Sequence, residues 1–247
     1  IRVKGFLLPF FSGQFSFSQN LVPNPGFEDY GSCPTGPIQM PAIWNTPTAG
    51  TPDYYNACSP VASGFSVPNN AEGFNPTHGG NGYVGLVTYQ YPYFPTVTYR
   101  EYIQIKLKYP LIAGKCYNVE FFIKRAERSG SSVDKVGCHF SNSPISHAYG
   151  YGLPVAAHVE TTSDLCIADL DWHAVTGTYT AVGGEEYITL GTFGPQSSIV
   201  LTPQPPNSGF LYYFFDDVSV TACNQSVQAL GDTLCLGEST TLKATGS

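Results

Sequence analysis

The chain has 247 residues, 11 basic against 18 acidic side chains, a formal net charge of −7, and only 12% charged residues beside 42% hydrophobic ones. Cations so few and so scattered exclude a phosphate-reading nucleic-acid interface, and no apolar run reaches the roughly 18–20 residues of a membrane helix. With 26 Gly, 20 Pro, 17 Tyr, 16 Phe and a single Met, the chain lacks material for long helices and is rich in residues that fill pleated sheets and turns.

The first stretch, 1–19, places Arg2 and Lys4 before an apolar run through Phe11. That order reads as the remainder of a secretory signal. The other reading is a retained apolar arm that adds a strand to a neighbouring sheet. From Asn20 onward, strand-like runs alternate with turn clusters. After a short strand near 20–22, the runs are 82–88, 100–109, 115–125, 135–140, 172–181, 185–193 and 210–222. Tyr117 to Lys124 nearly alternates apolar and polar residues, as a half-buried strand does. About eight strands without an amphipathic helix predict an all-β fold, a two-sheet antiparallel jelly-roll sandwich with long loops. Two irregular stretches, 28–81 and 141–171, are long enough to be functional or pinned by cross-links. The domain is therefore placed at 20–223. The tail, 224–247, reads as the opening of an immunoglobulin-like repeat cut off at Ser247, too short to bury a core of its own.

Seven cysteines stand at 33, 58, 116, 138, 166, 223 and 235. None forms a C-x-x-C pair, so zinc-ribbon and thioredoxin chemistry are set aside. Their wide spacing suggests disulfides made in an oxidising compartment, hence a secreted protein. The expected pairs are Cys33–Cys58, flanking a loop-rich segment, and Cys223–Cys235, bracketing a short connection. Buried free thiols are the alternative for several of them.

The best candidate ligand surface is aromatic. Tyr89, Tyr91 and Tyr93, followed by Arg100, offer flat apolar faces with polar rims, suited to stacking on sugar rings or packing on protein. Trp44, Tyr54, Tyr55 and His78 extend that set. The alternative is that these rings cover the core of a Tyr-rich sandwich. Catalysis finds little support: there is no G-x-S-x-G elbow, no H-E-x-x-H motif, and the histidines at 78, 139, 147, 158 and 173 lack ligand spacing. A glycosidase would need two carboxylates across a cleft. Asp53, Glu101, Asp169 and Asp171 are the candidates, and nothing in the sequence positions them. The expectation is a protein that is not an enzyme.

Three motifs fall in order: NLVPNPGFE at 20–28, HGGNGYVG at 78–85 and FFDDVSV at 214–220. Together they resemble the galactose-binding-like jelly-roll superfamily, which includes carbohydrate-binding modules. With GTPDYYNAC at 50–58, REYIQ at 100–104 and LCLGESTTL at 234–242, the chain looks closer still to modules in secreted surface proteins of the Bacteroidetes, of the gliding-motility and type IX secretion kind. The resemblance covers about 20–223. It implies neighbouring first and last strands and a structural calcium ion where they meet the loop before the second strand. The matching residues are Glu28, Asp216 and its neighbour Asp217, joined by carbonyls of 24–26 and 78–81. Calcium takes six to eight oxygens, so two carboxylates plus carbonyls and water suffice. The alternative is that Glu28 caps a turn and the Asp pair ends a strand in solvent. Two functions follow from the resemblance: an adhesive or structural module contacting neighbouring subunits, as a homo-oligomer or filament, and a carbohydrate-binding module holding a glycan. A glycoside hydrolase ranks below both.

Overall fold

The computed structural model describes residues 19–37, 39–90, 99–149, 152–166, 169–204, 210–223, 227–230 and 243–246. Nine strands build its body: β1 (Asp53–Asn56), β2 (Gly82–Gln90), β3 (Tyr102–Lys106), β4 (Cys116–Arg125), β5 (Gly137–Ser141), β6 (Val159–Glu160), β7 (His173–Thr180), β8 (Tyr187–Gly191) and β9 (Phe210–Ala222). One sheet runs β1-β2-β9-β4-β7 and the other β3-β8-β5-β6. Every pairing is antiparallel, and the chain crosses between the sheets at most steps. This is the expected antiparallel jelly-roll sandwich.

Alternation explains the core. Because successive side chains of a strand point to opposite faces, β4 turns Tyr117, Val119, Phe121 and Ile123 inward, against Ile103 and Ile105 of β3 and Ile188 and Leu190 of β8. On β9 the inward set is Tyr213 and Phe215, then Val218 and Val220. The switch from odd to even numbers is made by a bulge between Asp216 and Ser219, where Asp217 takes φ +47°. A bulge inserts one extra residue and re-aims the side chains beside it.

The long loops return over the outer faces. Phe65 and Val67 pack on Tyr55, Tyr83, Tyr212 and Phe214 outside the five-stranded sheet. Ile145, Val155 and Ala157 pack with Leu153 on Tyr102 and Phe193 outside the four-stranded sheet. The expected first strand, 20–22, carries no strand assignment. Its Leu21 nevertheless bonds Val220 O through its N–H (2.8 Å) and accepts from Lys108 N (2.8 Å), so the chain's early segment lies along β9. The four residues of β1, inside the stretch read as irregular, form an edge strand on β2.

Cys33 and Cys58 are bonded. The expected Cys223–Cys235 pair is corrected: Cys223 bonds Cys116, because β4 and β9 run antiparallel with Ala222 opposite Tyr117. Cys235 lies outside the described residues. Cys138 and Cys166 are buried thiols, each pushed up to about 12 by burial. In the tail, Val227–Leu230 and Lys243–Gly246 form an antiparallel pair. Residues 1–18, read as a signal remnant or arm, lie outside the described residues.

Candidate functional site

The NLVPNPGFE motif makes a tight turn clamped from every side. Asn24 and Phe27 both have positive φ, +44° and +59°, and Phe27 N–H bonds Asn24 O. The Asn24 side chain donates to Asp29 O and Ala42 O. Trp44 Nε1 donates to Asn24 O (2.9 Å) and Tyr54 OH to Phe27 O (2.8 Å). Val218 N–H, just past the β9 bulge, reaches Pro25 O (2.9 Å). The turn and the bulge therefore share one junction.

Three acidic side chains border it. A Cβ built on Gly26 would stand 3.0 Å from Asp217 Oδ1, 3.9 Å from Asp216 Oδ1 and 3.9 Å from Glu28 Cγ. Glu28 Oε1 accepts Asn81 N–H (2.7 Å) and Gly82 N–H (3.0 Å). Asp216 is fully buried and accepts the N–H groups of Gly79 and Asp217. Burial first, then the neighbouring Asp217 charge, pushes its carboxyl up to about 8. Asp217 Oδ2 meets His78 Nδ1 at 2.7 Å. A side chain at Gly79 would strike Asp217 and one at Gly80 would strike Glu28, so the two glycines are what lets this loop close on the acids. Among the described residues no Lys or Arg pairs with any of the three, and no three His, Cys, Asp or Glu side chains already converge as a ligand set.

Most of the predicted aromatic surface is interior. Trp44, Tyr54, Tyr55, Tyr89 and Arg100 are each at most 5% exposed. Trp44 and Tyr54 buttress the Asn24–Phe27 turn, Tyr55 stacks beneath the 57–80 loop, and Tyr89 OH accepts from Gln196. They were expected outside because ring amphipathicity does not reveal which faces a returning loop covers. Of the set, His78 remains part-exposed, stacked on Phe122 with centroids 3.6 Å apart. Tyr91 and Tyr93 lie outside the described residues.

The open surface lies where no candidate was placed. On the outer face of β7, β4 and β9, Thr176, Glu120 and Ser219 stand opposite one another, and so do Thr178, Asn118 and Thr221. These two cross-strand rows of three polar side chains line a shallow depression of about 420 Å³, a volume in the range of small-ligand sites. The next row holds Ala174, Phe122 and Asp216. The grid thus runs up to the His78–Phe122 stack, with Trp172 edge-on to His78 at 5.9 Å. The outward members of the Tyr117–Lys124 alternation were the available signal.

The carboxylates proposed for hydrolysis have other work. Glu101 is buried and accepts from Thr51 N–H and hydroxyl, Tyr99 OH and Val87 N–H. Asp53 accepts from Tyr212 OH (2.7 Å) and is pushed up to about 6, mainly by burial, with a further push from the Glu101 charge. Asp169 caps Asp171 N–H and bonds His173 Nε2, which holds its carboxyl below the usual range.

Fold and site together define a disulfide-stapled antiparallel jelly roll with an acidic junction and an open polar face. No protein-family model and no curated protein matches the chain. Among solved structures it is similar to the CBM22-1 xylan-binding domain of Paenibacillus barcinonensis Xyn10C, at 9% identity over 83% of this chain and 95% of that one, TM-score 0.40. It is also similar to the K3 cleaved adhesin domain of Lys-gingipain from Porphyromonas gingivalis (17%, 81% and 98%, TM-score 0.40). A third is TmCBM61, solved with β-1,4-galactotriose (15%, 83% and 99%, TM-score 0.35).

Proposed function

We propose that this chain is a non-catalytic adhesion or binding module of a secreted bacterial surface protein, stabilised by calcium, with the polar grid as its contact face. The observation that carries the reading is the pair of cross-strand rows on β7, β4 and β9, left open while the loop holding Phe65 and Val67 covers the other half of the same outer face. Six hydroxyl, amide and carboxylate groups on a rigid sheet suit a hydroxyl-rich partner, and sites built on strands hold their geometry better than sites on loops. A glycan is the partner of that chemistry. The two disulfides support an oxidising, extracellular setting, and among the described residues no helix is long and apolar enough to cross a membrane. The type IX and gliding-motility setting, the following immunoglobulin-like repeat and assembly into a filament rest on the motifs at 20–28, 50–58, 214–220 and 234–242.

The residues at the acidic junction fit calcium. Gly26 leaves bare the space its Cβ would fill between the acids, Asp217 Oδ1 accepts no hydrogen bond among the described residues, and no Lys or Arg among the described residues pairs with the group. Glu28, Asp216 and Asp217 would hold the ion, with main-chain carbonyls and water completing a shell of six to eight oxygens. The bound ion would neutralise the like charges that now oppose one another there.

Affinity electrophoresis against neutral polysaccharides tests the contact face. Retardation that Thr178→Trp abolishes supports the glycan partner. No retardation by any polysaccharide assigns the face to protein contacts instead, and retardation unchanged in Thr178→Trp removes the grid from the reading.

A further inference from the structure

A sheet ends in a row of unpaired N–H and C=O groups, and natural sandwiches shorten, cover or charge such edges. Three of the four edges here obey. β1 has four residues, and Asn56 N–H bonds Phe65 O (3.1 Å) of the returning loop. β3 is covered at its centre, where Asn45 and Gln104 exchange N–H to C=O bonds of 3.0 and 2.8 Å. β6 has two residues. β7 is the exception, since its eight residues keep unbroken register with β4 and include no Pro, Lys or bulge.

Strand geometry says what that edge offers. Cys116 stands opposite Thr180, and its carbonyl is turned the other way, to Cys223 N–H (2.9 Å). Val220 turns its carbonyl away from β4 to Leu21 N–H, which leaves Val119, opposite it, facing Gly177 of β7. Main-chain groups alternate sides along an antiparallel strand. The N–H and C=O of Val175, Gly177 and Tyr179 are therefore committed to β4, and those of Ala174, Thr176, Thr178 and Thr180 point outward. No described residue bonds these outward groups, and all four residues are exposed.

We propose that β7 pairs antiparallel with β7 of a second copy of this chain, about a two-fold axis at Gly177, joining two five-stranded sheets into one. That register sets Thr176 opposite Thr178 and Ala174 opposite Thr180, with about eight main-chain hydrogen bonds, two per facing pair. A two-fold contact needs a self-complementary patch, and this strand is one. Its outward side chains on the sheet face are small and uncharged, and facing Thr–Thr pairs stabilise a sheet. On the inner face Val175 meets Tyr179, both apolar. Glu120, the one charge in the two polar rows, lies a strand behind the seam and in line with Asn118 of the other copy, so no like charges face each other. The pairing runs the row of Thr176, Glu120 and Ser219 into the row of Thr178, Asn118 and Thr221 of the second copy, doubling the length of the polar grid. It holds whatever that grid binds.

Sedimentation velocity and residue-resolved amide exchange of the full chain, at low-micromolar and at millimolar concentration, test this. A dimer is expected at the higher concentration, dissociating on dilution. In it the amides of Ala174, Thr176, Thr178 and Thr180 should exchange at least tenfold more slowly than in the dilute sample, while those of Val175, Gly177 and Tyr179 stay as they are. Thr178→Pro removes an outward N–H, a position where an edge strand tolerates proline, and should abolish the dimer. Thr176→Lys combined with Thr178→Lys leaves the main chain intact and sets lysines opposite one another across the axis, so it should weaken the dimer at least tenfold even where the proline variant fails to fold. A monomer at millimolar concentration, a dimer whose outward amides exchange as fast as in the dilute sample, or an undiminished dimer in the double-lysine variant overturns the proposal. Outward amides already protected in the dilute monomer also overturn it, since another segment of the same chain would then hold the edge. No polysaccharide enters the measurement, so its outcome is separate from that of the glycan reading.

Discussion

The outer face of the five-stranded sheet has two halves built by one rule and put to opposite use. On β1, β2 and one end of β9, the outward residues are Tyr55, Tyr83, Tyr212 and Phe214, with Tyr83 and Phe214 centroids 4.6 Å apart and Tyr55 edge-on to Phe214 at 5.3 Å. The 57–80 loop closes over them. On β7, β4 and the other end of β9, the outward residues are Thr, Asn, Glu and Ser, and the face stays open. An outward position is thus a solvent position only where no loop returns, and the residue types record which half is which.

The comparison breaks most sharply at Phe214. Phe214→Ala is expected to cost about 3–5 kcal/mol, the usual cost of emptying a core ring, read by urea denaturation. A loss below about 1 kcal/mol would mean the covered half is surface after all. Calcium at about a hundred times its Kd should add about 2.7 kcal/mol, seen by calorimetry and reversed by a chelator. Glu28→Gln should weaken that increment, while Phe214→Ala should leave it in place.

Within the covered half, Asp53 sets a pH dependence. Its folded pKa, about 6, stands above the ordinary 3.8, so the folded chain holds the proton more tightly than the unfolded one. That contribution is complete below about pH 4 and is lost as pH rises through about 6, on the order of 2 kcal/mol after allowance for partial exposure. Asp53→Asn, which can still accept from Tyr212, should flatten the stability profile across that window; an unchanged slope between pH 4 and 6 would place the titration elsewhere. The smallest effects belong to the open half. Thr176→Ala and Thr178→Ala should change stability by no more than about 0.5 kcal/mol while weakening polysaccharide retardation, and a stability loss above 1 kcal/mol would show the grid to be packed.

Seven of the strands were legible from the sequence as runs rich in β-branched and aromatic residues between turn clusters, alternating most clearly at 117–124. The four-residue β1 was not, since Asp53–Asn56 lies between prolines and owes its extension to pairing with β2. The acidic set Glu28, Asp216 and Asp217 came from the resemblance carried by the motifs, and a Cβ on Gly26 would lie within 4 Å of side-chain atoms of all three. The aromatic site was not legible: Trp44, Tyr54 and Tyr55 carry the same ring chemistry whether they face a ligand or brace a turn. Cys223 shows the same limit, since sequence proximity favoured Cys235 and strand pairing chose Cys116.

What the amino-acid order determined alone is local: a two-residue period that makes strands, glycines that permit tight loops, and residue types that separate greasy faces from polar ones. Tertiary structure alone decided which outward faces are covered, which cysteines meet, and that Arg100 is buried. Those outcomes depend on segments far apart in the chain arriving at the same place, and a side chain's own neighbours in sequence carry no record of that arrival.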